Sequence, residues 1–187
     1  MTTYIRKLWP YEAALFSEHL CRLGPEARRM RFAGPVNDAR IKNYVREAWD
    51  LDTTILGYFV NGVIRGSAEL HPLTKEWTGK AEAAFAIEEA WQGRGVGRAL
   101  LARTFTLARN RGFRQLHLFC LQENRRMLKL ARELGARLTY DEGEVDALLE
   151  PPLANPFSWY GEALDDAESA FQATLSLLQP KPAGVAA

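Results

Sequence analysis

The chain has 187 residues, 47% of them hydrophobic and 25% charged, which suits one globular domain with a sizeable core and room for a terminal extension. A formal net charge of +1 excludes a whole-chain electrostatic pull toward nucleic acid or a membrane, so any functional basicity must be local. Two distant cysteines, Cys21 and Cys120, match no zinc or redox spacing, the N-terminus lacks the apolar run of a signal peptide, and no stretch approaches the roughly 18 apolar residues that span a bilayer. A cytoplasmic protein in a reduced compartment is the expectation.

Residues 4–8 are extended in character and stop at Pro10. Residues 11–23 carry Leu15, Phe16, His19, Leu20 and Leu23 at helical spacing, and Gly24-Pro25 ends that helix. Asp38 is the expected N-cap of a second helix with Ile41, Val45, Ala48 and Trp49 on one face. Residues 53–60 and 63–70 are rich in strand formers and flank Asn61-Gly62, a strong hairpin signal. A loop over 72–79 leads to a strand at 80–87. A Gly-rich turn at 92–97 then opens a helix to about residue 111, with Leu100, Leu101, Phe105 and Ala108 as its apolar stripe.

Residues 115–121 alternate as a strand, and Asn124 caps a helix whose Met127, Leu130, Ala131 and Leu134 share a face. Residues 137–140 and 145–149 form a second hairpin. Pro151-Pro152 marks a boundary, so residues 1–150 are read as one domain and 151–187 as a helical extension with a frayed tail. Leu164, Ala167, Phe171, Leu175 and Leu178 line one face of that last helix. The strand–helix–strand at 80–121 demands a parallel crossover and the hairpins demand antiparallel neighbours, giving a mixed sheet with helices on both faces.

The segment Gln92-Gly93-Arg94-Gly95-Val96-Gly97-Arg98 sits between a strand and a helix. Glycines leave the backbone uncovered, so peptide N–H groups of the first helical turn can point at an anion, and Arg94 and Arg98 add charge beside it. Spacing separates the cofactor classes that use this device. A P-loop needs Gly-Lys-Ser/Thr, whereas Gly97 is followed by Arg98-Ala99. A dinucleotide fingerprint places its third Gly one residue later and an acidic residue about 20 positions on, where this chain has His117. Coenzyme A pyrophosphate binding by Gln/Arg-x-x-Gly-x-Gly/Ala fits at every specified place.

With this motif, Ala81-Glu82-Ala83-Ala84-Phe85-Ala86-Ile87 before it and Asn124-Arg125-Arg126-Met127-Leu128-Lys129-Leu130-Ala131 after it, the chain resembles the GNAT superfamily of acyl-CoA-dependent N-acyltransferases, most of all the GNAT domain of Pat-type protein lysine acetyltransferases. The resemblance covers roughly residues 53–149, with 80–136 the specific part. It implies an α/β (α+β) fold, a mostly antiparallel sheet of six to seven strands with helices on both faces. It implies acetyl-CoA as co-substrate, no metal, and an amine acceptor, either a protein lysine or a small amine. It implies that Phe85, Ala86 and Ile87 pair with the pantetheine arm through their backbone, that residues 92–98 hold the pyrophosphate, and that Asn124 approaches the pantetheine. Neither nucleic acid nor membrane is an expected partner, and a homodimer is compatible with the sequence.

Acetyl transfer needs a neutral amine, while a lysine amine with pKa about 10.4 is almost wholly protonated at pH 7. Glu82 is the candidate base, because Glu occupies a similar place in protein-acetylating members, and burial in a partly apolar cleft is expected to raise its pKa. The structural alternative is a sheet-face carboxylate paired with Lys80. Glu69 is the reserve, and Glu88 and Glu89 read as surface charges. Many relatives carry a Tyr seven residues after the Asn to protonate the thiolate; this chain has Ala131, as Pat-type relatives also lack the Tyr, and Tyr140 is a substitute donor. Cys120, in an apolar strand, reads as an inert buried thiol rather than a nucleophile. His71 and His117 are minor candidates. Arg125 and Arg126 either touch phosphates or face solvent.

Arg28 to Phe32 is locally basic, and it meets an acidic acceptor, coenzyme A phosphates or only water. Trp77 and the aromatics of residues 156–160 line a pocket, close the core or form a dimer contact. Two other functions stay open on the sequence, a non-catalytic acyl-CoA sensor and a nucleotide-binding protein.

Overall fold

The structure, a computed structural model, describes residues 1–49 and 52–178, so the expected frayed tail lies outside the described residues. Strand β1 (Thr3–Lys7) leads through a short turn to helices α1 (Ala13–Cys21), α2 (Pro25–Phe32) and α3 (Asp38–Ala48). Strands β2 (Thr54–Val60), β3 (Val63–Pro72) and β4 (Lys80–Ile87) follow, then α4 (Val96–Asn110), β5 (Gln115–Leu121), α5 (Arg125–Glu133), β6 (Arg137–Asp141), β7 (Glu144–Leu149) and α6 (Pro156–Leu178). The seven strands form one sheet in the order β1-β2-β3-β4-β5-β7-β6, antiparallel except for β4 against β5.

Alternation along each strand decides what each face meets. Ala68, Leu70, Ala81, Ala83, Leu116 and Leu118 point to one face and are buried with Leu100, Leu101 and Leu107 of α4. At about 1.5–3 kcal/mol for each fully buried leucine, this layer is the main anchor of the middle of the chain. On the opposite face Ile55, Phe59, Ile64 and Ala86 are buried with Phe16, Leu20, Ile41 and Val45 of α1 and α3. Helix α2 lies on that second side, against β4 and β5.

Three expectations change. There are three helices before β2 rather than two, because α2 begins at Pro25 and is arginine-rich with no buried residue, so it carries no apolar period to reveal it. The N-cap of α3 is Asn37, whose side chain accepts from Arg40 N–H at 2.9 Å; Asp38 is the first helical residue. Helix α6 turns its acidic face inward, where Lys7 Nζ donates to Glu162 at 2.9 Å and to Asp166 at 2.6 Å, Asn110 Nδ2 donates to Glu162 at 2.8 Å, and Arg103 pairs with Asp165. Its Phe157, Tyr160, Leu164 and Phe171 are exposed, so the stripe read from sequence does not close the core.

Candidate active site

The site is made by a sheet that parts. β4 and β5 pair only at Lys80–Gln115, Ala81–Leu116 and Glu82–His117. β4 continues for five more residues and pairs with β3 as far as Ile87, but its β5-facing edge has no strand partner beyond Glu82. Backbone polar groups on such an edge are obligatory hydrogen-bonding groups, and an extended ligand can meet them as an added strand would. Phe85, Ala86 and Ile87 lie on this stretch.

At its far end comes the Gly-rich turn. Gln92 N–H donates to Glu89 O at 3.2 Å and Ala99 N–H to Gly95 O at 3.0 Å. The N–H groups of Gly93 through Arg98 between them have no hydrogen-bond acceptor among the described residues. Gly93 and Gly95 hold φ of +73° and +83°, and a Cβ at either would meet nothing within 4 Å, so both open onto free space. Gly97 has a different job. A Cβ there would lie 3.1 Å from Ile87 Cδ1 and 3.3 Å from Leu130 Cδ1, so its bareness lets α4 approach β4 and α5. Helix α4 thus starts with free donors at its positive end, a cradle that fits a diphosphate in both room and charge.

Side chains around the turn hold its shape. Gln92 Nε2 donates to Ile87 O at 3.0 Å, tying the turn to the end of β4, and Gln92 Oε1 accepts from Arg126. Arg94 lies over the Trp91 ring at 5.2 Å, and Arg98 pairs with Glu133. Val96 is buried. Arg125 and Arg126 are exposed. Asn124, at the end of β5, caps α5 by accepting from Met127 N–H at 3.2 Å.

The carboxylates differ from the sequence expectation. Glu88 is no surface charge: it is 7% exposed and accepts from His19 Nδ1 at 3.1 Å, Arg22 Nε at 2.9 Å and Arg65 Nη1 at 2.8 Å. Burial alone would raise its pKa, but these donors outweigh burial and bring it to about 2. Glu89 is exposed. Glu69 is 1% exposed and bound by Arg31 and the Tyr44 hydroxyl, which suits it to a structural anchor rather than a base. Its partner Arg31, with Arg28 and Arg29, accounts for the basic segment: Arg28 caps backbone carbonyls and pairs with Asp38, and Arg29 pairs with Glu26 and Glu123.

Glu82 stands apart. Among the described residues no arginine pairs with it. Its cross-strand neighbours in register are His71 on β3 and His117 on β5, and His71 Nε2 lies 3.4 Å from its Oε2. The partner is thus a histidine and not Lys80. Its pKa is lowered, not raised: burial pushes it up, and the hydrogen bond and charge of His71, with the charges of Arg31 and His117, pull it further down. Sequence reasoning gave both histidines little weight because the row His71–Glu82–His117 exists only once three strands are in register. The alternation of each strand placed all three on one face; only the pairing aligned them.

Cys120 is buried beside Leu128 and Val145, and burial pushes its thiol up to about 11, consistent with an inert core residue. Ala131 is fully buried against α4, so the core fills that position. Tyr140 is exposed on β6, the sheet edge two strands beyond β5, and accepts from Arg132 at 2.7 Å. It lines a cavity with Gln122, Glu123 and Arg125 just beyond the end of β5. Trp77 stacks on Phe113 with centroids 4.9 Å apart and lines a cavity of about 420 Å³ with Lys75 and Arg111.

Residues 22–136, more than half of the chain, match the model of the acetyltransferase (GNAT) family. The chain belongs to the GNAT family. No curated protein matches its sequence. In structure it is similar to the GNAT domain of PAT from S. lividans, with a TM-score of 0.67 at 22% identity over 78% of this chain and 89% of that one. It is also similar to yncA, a putative acetyltransferase from Salmonella typhimurium solved with acetyl-CoA (TM-score 0.63, 19% identity, 83% and 97% covered). A third is the paiA N-acetyltransferase from Thermoplasma acidophilum, solved with coenzyme A (0.60, 19%, 80% and 99%). The GNAT fold, seven-stranded and mostly antiparallel with helices on both faces, is the one expected.

Proposed function

We propose that this GNAT protein transfers the acetyl group of acetyl-CoA to a primary amine, a protein lysine or a small amine, by direct attack in a ternary complex. One observation carries the reading: a row of unengaged peptide N–H groups at the head of α4, from Gly93 to Arg98, continues into an unpaired β4 edge at Phe85, Ala86 and Ile87. A diphosphate and an extended amide-bearing arm are the chemistry those two features recognise together. Gln92 and Val96 shape the turn, Arg94 and Arg98 supply charge at its mouth, and Asn124 stands at the end of β5 across from the arm. A β4 amide aimed at the thioester carbonyl stabilises the developing oxyanion. Glu82, ionised at neutral pH by its lowered pKa, receives the ammonium group of the acceptor and takes its proton directly or through water.

Residues 1–150 form the catalytic domain in this reading and 151–187 a C-terminal extension that carries α6 and a tail. Within the family we place the protein nearest the Pat-type domains, on residues 80–136 and the likeness to the S. lividans structure. Its place of action is the cytoplasm; among the described residues no helix is long and apolar enough to cross a membrane.

The test is coenzyme A release on mixing the protein with acetyl-CoA and an amine panel, with modified lysines sought by mass spectrometry. Amine-dependent release supports the transferase. Tight acetyl-CoA binding with no acceptor modified favours a sensor, a reading that the alanine at position 131 supports. Binding to NADH or ATP but not to acetyl-CoA removes both.

A further inference from the structure

We propose that His117, oriented by Asp146, is the second proton carrier of the acetyl transfer, taking from Glu82 the proton that the ammonium acceptor surrenders. The inference rests on the acetyltransferase reading above. Its structural basis is a carboxylate–imidazole pair that folding builds at the floor of the cleft. His117 Nδ1 lies 2.9 Å and 3.1 Å from the two carboxylate oxygens of Asp146 on β7. An ionised carboxylate only accepts, so Nδ1 carries the proton and Nε2 keeps a lone pair. That Nε2 is buried and has no hydrogen-bond partner among the described residues. An orphaned buried imidazole nitrogen is costly unless something visits it.

What can visit is set by the surroundings. His117 is the last β5 residue paired with β4, and the β4 residue opposite is Glu82. His71 faces Glu82 from β3, Arg31 of α2 acts on it from above the sheet, and the Phe119 ring stacks on the imidazole at 5.7 Å. The row thus holds one carboxylate that faces the cleft and a histidine on either side of it, with Asp146 behind one of them. His19 offers the contrast. Its Nε2 is orphaned as well and its Nδ1 also faces a carboxylate, Glu88, but His19 is fully buried on the inner face of α1 and that carboxylate is already bound by two arginines, whereas His117 lies in register beside Glu82. His117 lies nearer the surface, with 12% of its side chain exposed, although Nε2 itself is closed to solvent.

The proton balance is simple. The acceptor R–NH₃⁺ gives a proton to the Glu82 carboxylate and becomes R–NH₂. Glu82, which lies against His71 and makes no hydrogen bond or ion pair with His117 in this structure, passes the proton to His117 Nε2 when its carboxylate swings across the row, and the Asp146 carboxylate then stabilises the imidazolium without taking the proton. The amine lone pair then bonds to the thioester carbon, the C–S bond breaks, and coenzyme A leaves as thiolate. The second proton of the attacking nitrogen goes to the thiolate, and the imidazolium releases its own to water. No other reactant is needed.

The experiment uses the full chain, acetyl-CoA and two sets of primary amines: peptide α-amines, with pKa about 8, and lysine side chains, with pKa about 10.4. His117→Gln is expected to lower kcat on lysine acceptors about 10- to 100-fold. The loss on α-amines, which are partly neutral at pH 7.5, is expected to be clearly smaller, and acetyl-CoA affinity unchanged. Asp146→Asn keeps the shape but presents an amide that can donate to Nδ1, so the ring proton moves to Nε2 and the same selective loss follows. The ¹⁵N spectrum of the His117 ring reads that tautomer directly. Equal losses on both amine sets, wild-type rates in Asp146→Asn, or a proton on Nε2 in the wild type would overturn the relay. The wild-type spectrum decides even where a variant fails to fold. A wild-type protein that binds no acetyl-CoA, or acetylates no member of either set, overturns the acetyltransferase reading itself.

Discussion

The two ends of the cleft solve opposite problems. At the head of α4 the peptide backbone is the functional group, and what the sequence must supply is the absence of side chains, with two left-handed glycines, Gly93 and Gly95, opening onto free space. At the other end the side chains are the functional groups, and His71, Glu82 and His117 come from three strands and meet only in register. One end is written locally in the chain and the other is written by the sheet. Substitutions should therefore act on binding at the first end and on turnover at the second.

The largest effect is expected at the backbone end. Gly95→Glu forces a side chain into a φ of +83° and places a carboxylate where the donors point. Acetyl-CoA binding should weaken by more than about 100-fold in calorimetry, roughly 3 kcal/mol. Next comes Glu82→Gln, expected to leave acetyl-CoA affinity within about twofold and lower kcat on lysine acceptors by about 10²–10³. A loss of affinity instead would erase the division between the two ends.

How far each end could be read from sequence follows the same division. The boundaries of β4 and β5, the hairpin at Asn61-Gly62 and the Gly-rich turn were all legible, because alternation and turn chemistry are local. The helix α2 was not, since Arg28 spends itself on nearby carbonyls and Arg29 and Arg31 on carboxylates far along the chain, Glu123 and Glu69. Glu88 was misread for the same reason. Its neighbours Glu89 and Ala90 are exposed, and nothing nearby in sequence announces Arg22, Arg65 and His19. Glu82 enters as a candidate base through the family resemblance, while its lowered pKa and its histidine neighbours depend on the pairing of three strands.

Smaller effects sharpen the contrast. Glu88→Gln leaves two partly exposed arginines, Arg22 and Arg65, short of charge and should cost about 1–3 kcal/mol of stability, seen as a lower Tm at pH 7. The pH dependence has a definite sign. Because the folded pKa of Glu88 is about 2 and an unfolded glutamate titrates near 4.3, its contribution is complete above that value and is lost as pH falls toward 2. Glu88→Gln should flatten the acid limb of the stability profile. Gly97→Val should cost about 1–3 kcal/mol by crowding Ile87 and Leu130, with acetyl-CoA affinity changed less than by Gly95→Glu. Smallest of all, the pairs from Lys7 to Glu162 and Asp166 contribute about 0–1 kcal/mol each. Raising salt to 1 M should speed proteolysis within α6 while leaving the core transition in place.

Among the described residues, three rungs are the whole strand pairing between β4 and β5. Whatever lies in the notch above them is a splice between two half-sheets, and its grip must register on both. Amide exchange on the free edge of β4 and on the distal residues of β5 should slow together when the notch fills, as two planks stiffen when a spline is driven between them.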